Sequence, residues 1–177
     1  MAELARLVDE LLEFSKASLA KSESQVEVVG VRELFQGVSD IESMDNECEI
    51  VGGQDLKIRI NPALLKRALG NLVRNSVRYG EGKPLKVKIE KKGSDVRIGV
   101  LDRGPGLPEE WKEQVFEPFA RPEAARTREG GCAGLGLAIV KSCAESMGGR
   151  VFCRNRNEGG LEAVSYTHLT LPTIYSV

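Results

Sequence analysis

Little in this sequence supports a metal-stapled, membrane-embedded or polyanion-binding protein. Its four cysteines, Cys48, Cys132, Cys143 and Cys153, form no Cys-x-x-Cys pair, so free thiols are expected and a zinc site is not. Neither sign of charge dominates: 25 basic against 26 acidic residues leave a net charge of −1, which implies no general affinity for polyanions and no nucleic-acid partner. No apolar run reaches the roughly 18 residues that a membrane span needs. Met1 opens no signal-peptide pattern, and the chain as given is expected in the cytoplasm. There is no internal repeat. Two phosphate-binding patterns are also missing. No Gly-x-x-x-x-Gly-Lys-Ser/Thr loop occurs, and Gly134-Leu-Gly136 lacks both the third glycine and the preceding strand of a dinucleotide fingerprint. The 177 residues fit one medium domain with a short appendage, long enough to bury a core without staples.

What is present is strong periodicity. Leu4, Leu7, Val8, Leu11 and Leu12 recur at helical spacing within Met1 to Lys21, with Glu3, Arg6, Glu10 and Glu13 opposite. Such a helix needs a partner for its apolar stripe, either its own domain or a helical bundle. Lys21 to Gln25 reads as a linker. Val26 to Val31 is strand-like and Arg32 to Asp40 helical. Glu47 to Val51 and Leu56 to Ile60 are strand candidates around the turn residues Gly52-Gly53-Gln54-Asp55. Asn61-Pro62 starts the most secure helix, an N-cap followed by proline at the first helical position, which runs to Tyr79. Leu85 to Lys91 and Val96 to Leu101 alternate around Gly93-Ser94-Asp95 as a hairpin. Glu109 to Phe116 suits one or two helical turns, Ala120 to Ala133 a loop, and Leu135 to Met147 a helix. Arg150 to Arg154 and Leu161 to Val164 complete a sheet. The sum is an α+β fold, a two-layer sandwich with helices on one face of a mixed, mainly antiparallel sheet.

Four short motifs lie along this framework. In the first, Asn71, Asn75, Arg78 and Tyr79 fall near one face of a helix that otherwise buries apolar groups. Buried amides need partners, which neighbouring backbone or a ligand could supply. In the second, Asp102-Arg-Gly104-Pro-Gly106 follows a strand. Asp-x-Gly is ordinary turn chemistry, but a carboxylate there can also accept from the amine of adenine, with glycines that let the backbone come close. The third is Phe116-Glu-Pro-Phe119, either core packing or an anchor beside a loop carrying Arg121, Arg126 and Arg128. Guanidinium groups on such a loop are solvated or hold phosphate, and Arg121 is the preferred candidate. The fourth, Gly134-Leu135-Gly136, opens a helix where free amides favour phosphate.

In this order and spacing, the four motifs resemble the ATP-binding domain of bacterial sensor histidine kinases, in the superfamily of gyrase, MutL and the Hsp-type chaperone ATPases. The resemblance covers Met1 to Val164. It implies a Bergerat-type ATP-binding fold that uses ATP and Mg2+. By resemblance, Asn75 coordinates magnesium through its amide oxygen, Arg78 approaches the phosphates, Tyr79 lies against adenine, and Asp102 recognises the base. Asn71, Gly104, Gly106, Arg121, Gly131, Gly134, Leu135 and Gly136 complete the expected nucleotide site, with Gly130 and Gly131 as the hinge of an ATP lid. Related hydrolases carry Glu at the position of Asn71, as the base that activates water. Asn cannot serve as that base, which favours phosphotransfer. One departure is that the family pattern has glycine two residues before Gly134, where this chain has Cys132; either Ala133 is an insertion or Cys132 replaces that glycine, and this puts nucleotide affinity in doubt.

The resemblance also divides the chain. Residues 1–21 would be the second helix of a dimerisation hairpin, 22–164 the catalytic domain, and 165–177 a tail. The phosphoacceptor histidine of such kinases sits on the first hairpin helix, and the chain's one histidine, His168, is in the tail. The chain thus reads as a C-terminal fragment that does not phosphorylate itself, from a parent anchored in the bacterial inner membrane. Its partners would be ATP, the dimerisation hairpin of the same kinase in a homodimer, and a response regulator receiver domain. The tail, poor in charge, looks like translated adapter or vector sequence and is expected to be dispensable. The rival functions are an ATP hydrolase or clamp of the same fold, and a degenerate module that binds nucleotide or a partner without turnover.

Overall fold

A computed structural model describes residues 8, 11–12, 14–15, 26–41, 48–122 and 133–168. In chain order the elements are β1 (Glu27–Gly30), α1 (Val31–Ile41), β2 (Cys48–Gly52), β3 (Lys57–Ile60), α2 (Pro62–Tyr79), β4 (Leu85–Lys92), β5 (Asp95–Leu101), α3 (Trp111–Gln114), α4 (Gly136–Ser146), β6 (Arg150–Asn155) and β7 (Leu161–His168). Most of the N-terminal helix expected over residues 1–21 lies outside the described residues. Val8, Leu11 and Leu12 within it are helical and exposed, while Phe14 packs against the core. No helix among the described residues is long and apolar enough to cross a membrane.

Five strands form the main sheet in the order β2-β4-β5-β7-β6, and β1 pairs with β3 in a second, two-stranded sheet. The strands flanking Gly52-Gly53 therefore part company: β2 runs parallel to β4, whereas β3 is antiparallel to β1. All other pairs in the main sheet are antiparallel. The β4–β5 hairpin turns at Gly93, φ +63°, a conformation that glycine adopts without cost.

Register decides which side chains reach the core, because paired residues share a face. Val87, Val100 and Ala163 lie in one row and Ile98 pairs with Ser165 in the next. Against them pack Leu34, Phe35 and Val38 of α1, Leu65, Leu69 and Leu72 of α2, and Ile139, Val140 and Cys143 of α4. The helix α2 starts as its sequence requires: the Asn61 side chain accepts from the amides of Ala63 at 3.0 Å and Leu64 at 3.2 Å, with Pro62 next to it.

The opposite face of the sheet holds an ion network. Arg97 donates to Glu162 at 2.7 Å, and Glu162 also accepts from Arg154 at 2.5 Å. Gly99 leaves space for this pair, since a Cβ there would stand 3.1 Å from the Glu162 carboxylate.

The last strand corrects the sequence reading. β7 does not stop at Val164 but continues through Ser165 to His168, pairing with β5 along that whole length. Ser165 and Tyr166 pair with β6 as well as β5, and Thr167 and His168 with β5 alone, a backbone factor that low charge density does not reveal.

Candidate nucleotide site

The C-terminal half of α2 meets the first turn of α4. Asn71 is buried, and its Nδ2 donates to the Arg67 carbonyl at 2.9 Å, the backbone partnership foreseen as the bland alternative. Its Oδ1 is left pointing toward Gly136. Asn75 is half-buried and makes no side-chain hydrogen bond among the described residues. A Cβ on Gly136 would stand 3.3 Å from Asn75 Oδ1 and 3.6 Å from Asn71 Oδ1. The first and fourth motifs are thus one site, and the missing side chain of Gly136 keeps the two amides open. Arg78 and Tyr79, both half-buried, end the same helix.

Asp102 follows β5 and is buried. Its Oδ1 accepts from the amides of Gly104 and Leu161, each at 2.9 Å. Both bonds use one oxygen, so Oδ2 remains to accept from a ligand. The glycines beyond it serve a purpose that the sequence did not disclose. A Cβ on Gly104 would collide with the Tyr79 carbonyl oxygen, and one on Gly106 would meet Asn155 Oδ1 at 2.6 Å. They let the loop lie on the protein's own backbone and side chains, which brings Asp102 beside the end of α2.

The phenylalanine motif splits in two. Phe116 is 6 % exposed and packs with Val115, Cys153, Leu107 and Trp111. Phe119 is 61 % exposed and held at φ 65°, unusual for a bulky residue, with its amide donating to the Gly134 carbonyl at 3.1 Å. That bond ties the third motif to the fourth. Gly134 itself has φ +77°, and a Cβ on it would lie 3.1 Å from Arg121 Cγ, so Arg121 stands at the glycine turn. Glu117 and Lys141 add an ion pair at 2.8 Å between this segment and α4, and that pairing raises the Lys141 pKa. Leu135 is fully buried and acts as a core residue. Gly130, Gly131, Cys132, Arg126 and Arg128 lie outside the described residues.

The described residues thus bring together Asn71, Asn75 and Gly136 in one cluster, Asp102 and Gly104 beside Tyr79 in a second, and Arg121 with Gly134 in a third. Residues 60–173 match the family described as histidine kinase-, DNA gyrase B- and HSP90-like ATPases. The chain belongs to that family. Among curated relatives, it is 38 % identical over 136 residues to the sensor histidine kinase GtrS of Pseudomonas aeruginosa, spanning 77 % of this chain and 28 % of that protein. It is 42 % identical over 110 residues to the sensor histidine kinase CpxA of Escherichia coli, spanning 62 % of this chain and 24 % of that one. The chain therefore spans about a quarter of these relatives' length. Its fold is similar to full-length ShkA in complex with AMPPNP, with TM-score 0.81 and 25 % identity over 96 % of this chain and 36 % of that one. It is also similar to the catalytic domain of histidine kinase ThkA, with TM-score 0.72 and 26 % identity over 82 % and 96 % of the two chains. The expected α+β sandwich is thus the fold of histidine-kinase ATP-binding domains, and ATP is the ligand of this ATPase-family domain.

Sequence reasoning missed the turn between β6 and β7. Asn155, Arg156 and Gly160 all contact the Asp102 loop, yet none belongs to a motif or matches a phosphate or base pattern. Their only sequence signal is the glycine pair Gly159-Gly160, which marks a turn.

Proposed function

We propose that this domain binds magnesium-ATP and transfers the γ-phosphate to a histidine on a dimerisation hairpin, for onward passage to a response regulator. The observation that carries the phosphotransfer reading is Asn71. A residue able to activate water would need a basic oxygen beside the phosphates. This position holds an amide, fixed by its bond to the Arg67 carbonyl, which cannot take a proton from water. Water attack therefore lacks a base, and a positioned acceptor can compete for the phosphoryl group.

The remaining residues divide between base and phosphates. Asp102 offers Oδ2 to the adenine amine while its other oxygen is held by two amides. Asn75 fits a hard cation through its amide oxygen, which has no protein partner among the described residues and faces the space above Gly136. When bound, Mg2+ would neutralise phosphate charge. Arg78 and Arg121 supply further positive charge, Tyr79 a face for the base, and the turn at Gly134–Gly136 backbone amides for phosphate. Transfer to a regulator is supported by the similarity to ThkA in complex with the response regulator protein TrrA, with TM-score 0.76 and 26 % identity over 96 % of this chain and 49 % of that one. In the wider protein, residues 1–21 would form part of the hairpin, and the parent would be anchored in a bacterial membrane.

The test uses γ-labelled ATP with the chain alone and with a separate polypeptide carrying the cognate hairpin histidine. The proposal requires acid-labile label on the added polypeptide and none on this chain. Stoichiometric phosphate release without transfer would favour a hydrolase, and nucleotide binding with neither product would favour a binding module.

A further inference from the structure

From the bonds that grip the Asp102 loop, we infer that Asn155 and Arg156 are positioning residues for adenine recognition. The inference rests on the reading of Asp102 as the base-recognition residue. The loop from Asp102 to Leu107 is held at both ends by adjacent residues of one turn. At the far end, the Asn155 side chain accepts from the Leu107 amide at 2.8 Å and donates to the Leu107 carbonyl at 2.7 Å, closing a two-bond ring like a short strand pair. At the near end, the Arg156 guanidinium donates to the Asp102 carbonyl at 2.5 Å. The turn itself is closed by the Arg156 amide donating to Gly160 at 2.9 Å and the Gly159 amide donating to Arg156 at 3.1 Å.

This turn also sets the carboxylate. Leu161, the first residue of β7, donates its amide to Asp102 Oδ1 and accepts the Asp102 amide at 3.0 Å. Gly160, φ +93°, sits against the Asp102 carbonyl so closely that any Cβ would collide with it. Rotation of the Asp102 side chain breaks its bonds to the Gly104 and Leu161 amides, and movement of the turn displaces the Leu161 amide that orients it. The bonds of Asn155 and Arg156 hold the turn and the loop as one body, and the free oxygen of Asp102 inherits its direction from them. Neither side chain has to touch the nucleotide. Glu158 pairs with the same guanidinium at 3.3 Å and aligns it for the carbonyl.

The experiment measures ATP and GTP affinity by displacement of a fluorescent adenine nucleotide from the full chain and its Asn155→Ala, Arg156→Met, Arg156→Lys and Asp102→Ala variants. Amide exchange at Gly104 and Leu161 is followed by NMR. Loss of one such hydrogen bond corresponds to about a fivefold effect. Asn155→Ala and Arg156→Met should each lower the ATP preference over GTP by about that factor and speed exchange at both amides, and Arg156→Lys should recover most of the preference. Equal weakening of ATP and GTP would mean that the turn only supports the fold, and would overturn the inference. Unchanged preference in both turn variants, with loss in Asp102→Ala, would overturn it while leaving the base-recognition reading intact. Unchanged preference in Asp102→Ala would remove that reading and the inference with it. If Arg156→Met fails to fold, Asn155→Ala and Arg156→Lys carry the test.

Discussion

Replacing Asp102 with Asn separates what the residue does for the fold from what it does for the base. In the native chain Oδ1 accepts two backbone amides at 2.9 Å from a site only 5 % exposed. An Asn oxygen can take both bonds, so the loop keeps its course. What is lost is the charge, which makes each such bond worth about 1 kcal/mol more than its neutral counterpart. The two together amount to about 2 kcal/mol, or a fall in melting temperature of about 4–8 °C for a chain of this size. At the open position the change is of kind, because an acceptor becomes a donor. Adenine presents an amine there and guanine a carbonyl. ATP should lose about 10- to 100-fold in affinity, the scale of one bond to a charged group. GTP should lose much less or gain. Calorimetric titration of both nucleotides against Asp102→Asn, with thermal unfolding alongside, gives both numbers. A melting temperature that falls as stated with an unchanged ATP-to-GTP ratio would refute the assignment of Oδ2 to the base. Collapse of the fold would refute the claim that a neutral oxygen suffices for the loop.

Three further outcomes follow from packing. Ser165 is fully buried on the core face with no hydrogen-bond partner for its Oγ among the described residues, so Ser165→Ala should raise stability by about 1 kcal/mol in denaturant unfolding. Ending the chain after Val164 removes the pairing of Ser165 to His168 with Ile98 to Asp95; it should lower the melting temperature by about 10 °C relative to a chain ending at His168, and a shift within about 2 °C would show that the extension adds nothing. Burial pushes the Cys153 thiol from its ordinary 9.0 up to about 11. The folded chain then holds this proton more tightly than the unfolded one, so stability is lost as pH rises from about 9 to about 11. Cys153→Ala should flatten that decline by about 2 kcal/mol in unfolding titrations across the interval.

Where local chemistry dominates, the sequence was a sound guide. The start of α2 was legible because Asn61 caps through its own side chain and Pro62 fits the next position. The tight turn at Gly93 was legible for the same short-range reason. Asn75, Asp102 and Gly136 could be singled out because each lies in a compact motif, but that Asn75 lies against Gly136 is a contact between two helices that no motif states. Long-range pairing was not legible. Nothing local says that β2 lies parallel to β4 while β3 joins β1. The grip of Asn155 on Leu107 spans 48 residues and that of Arg156 on Asp102 spans 54, beyond the reach of any motif. The end of β7 was misjudged because composition reports charge, whereas the strand is set by its pairing with β5 and, as far as Tyr166, with β6. Phe116 and Phe119 looked equivalent on paper, and burial separates them.

The most direct measurement for the central claim is a calorimetric titration of ATP into the chain and its Asn75→Ala variant, each with and without magnesium. The account requires magnesium to strengthen ATP binding by the native chain, about tenfold or more, and to leave binding by Asn75→Ala nearly unchanged. Magnesium enhancement that is equal in the two proteins would contradict it.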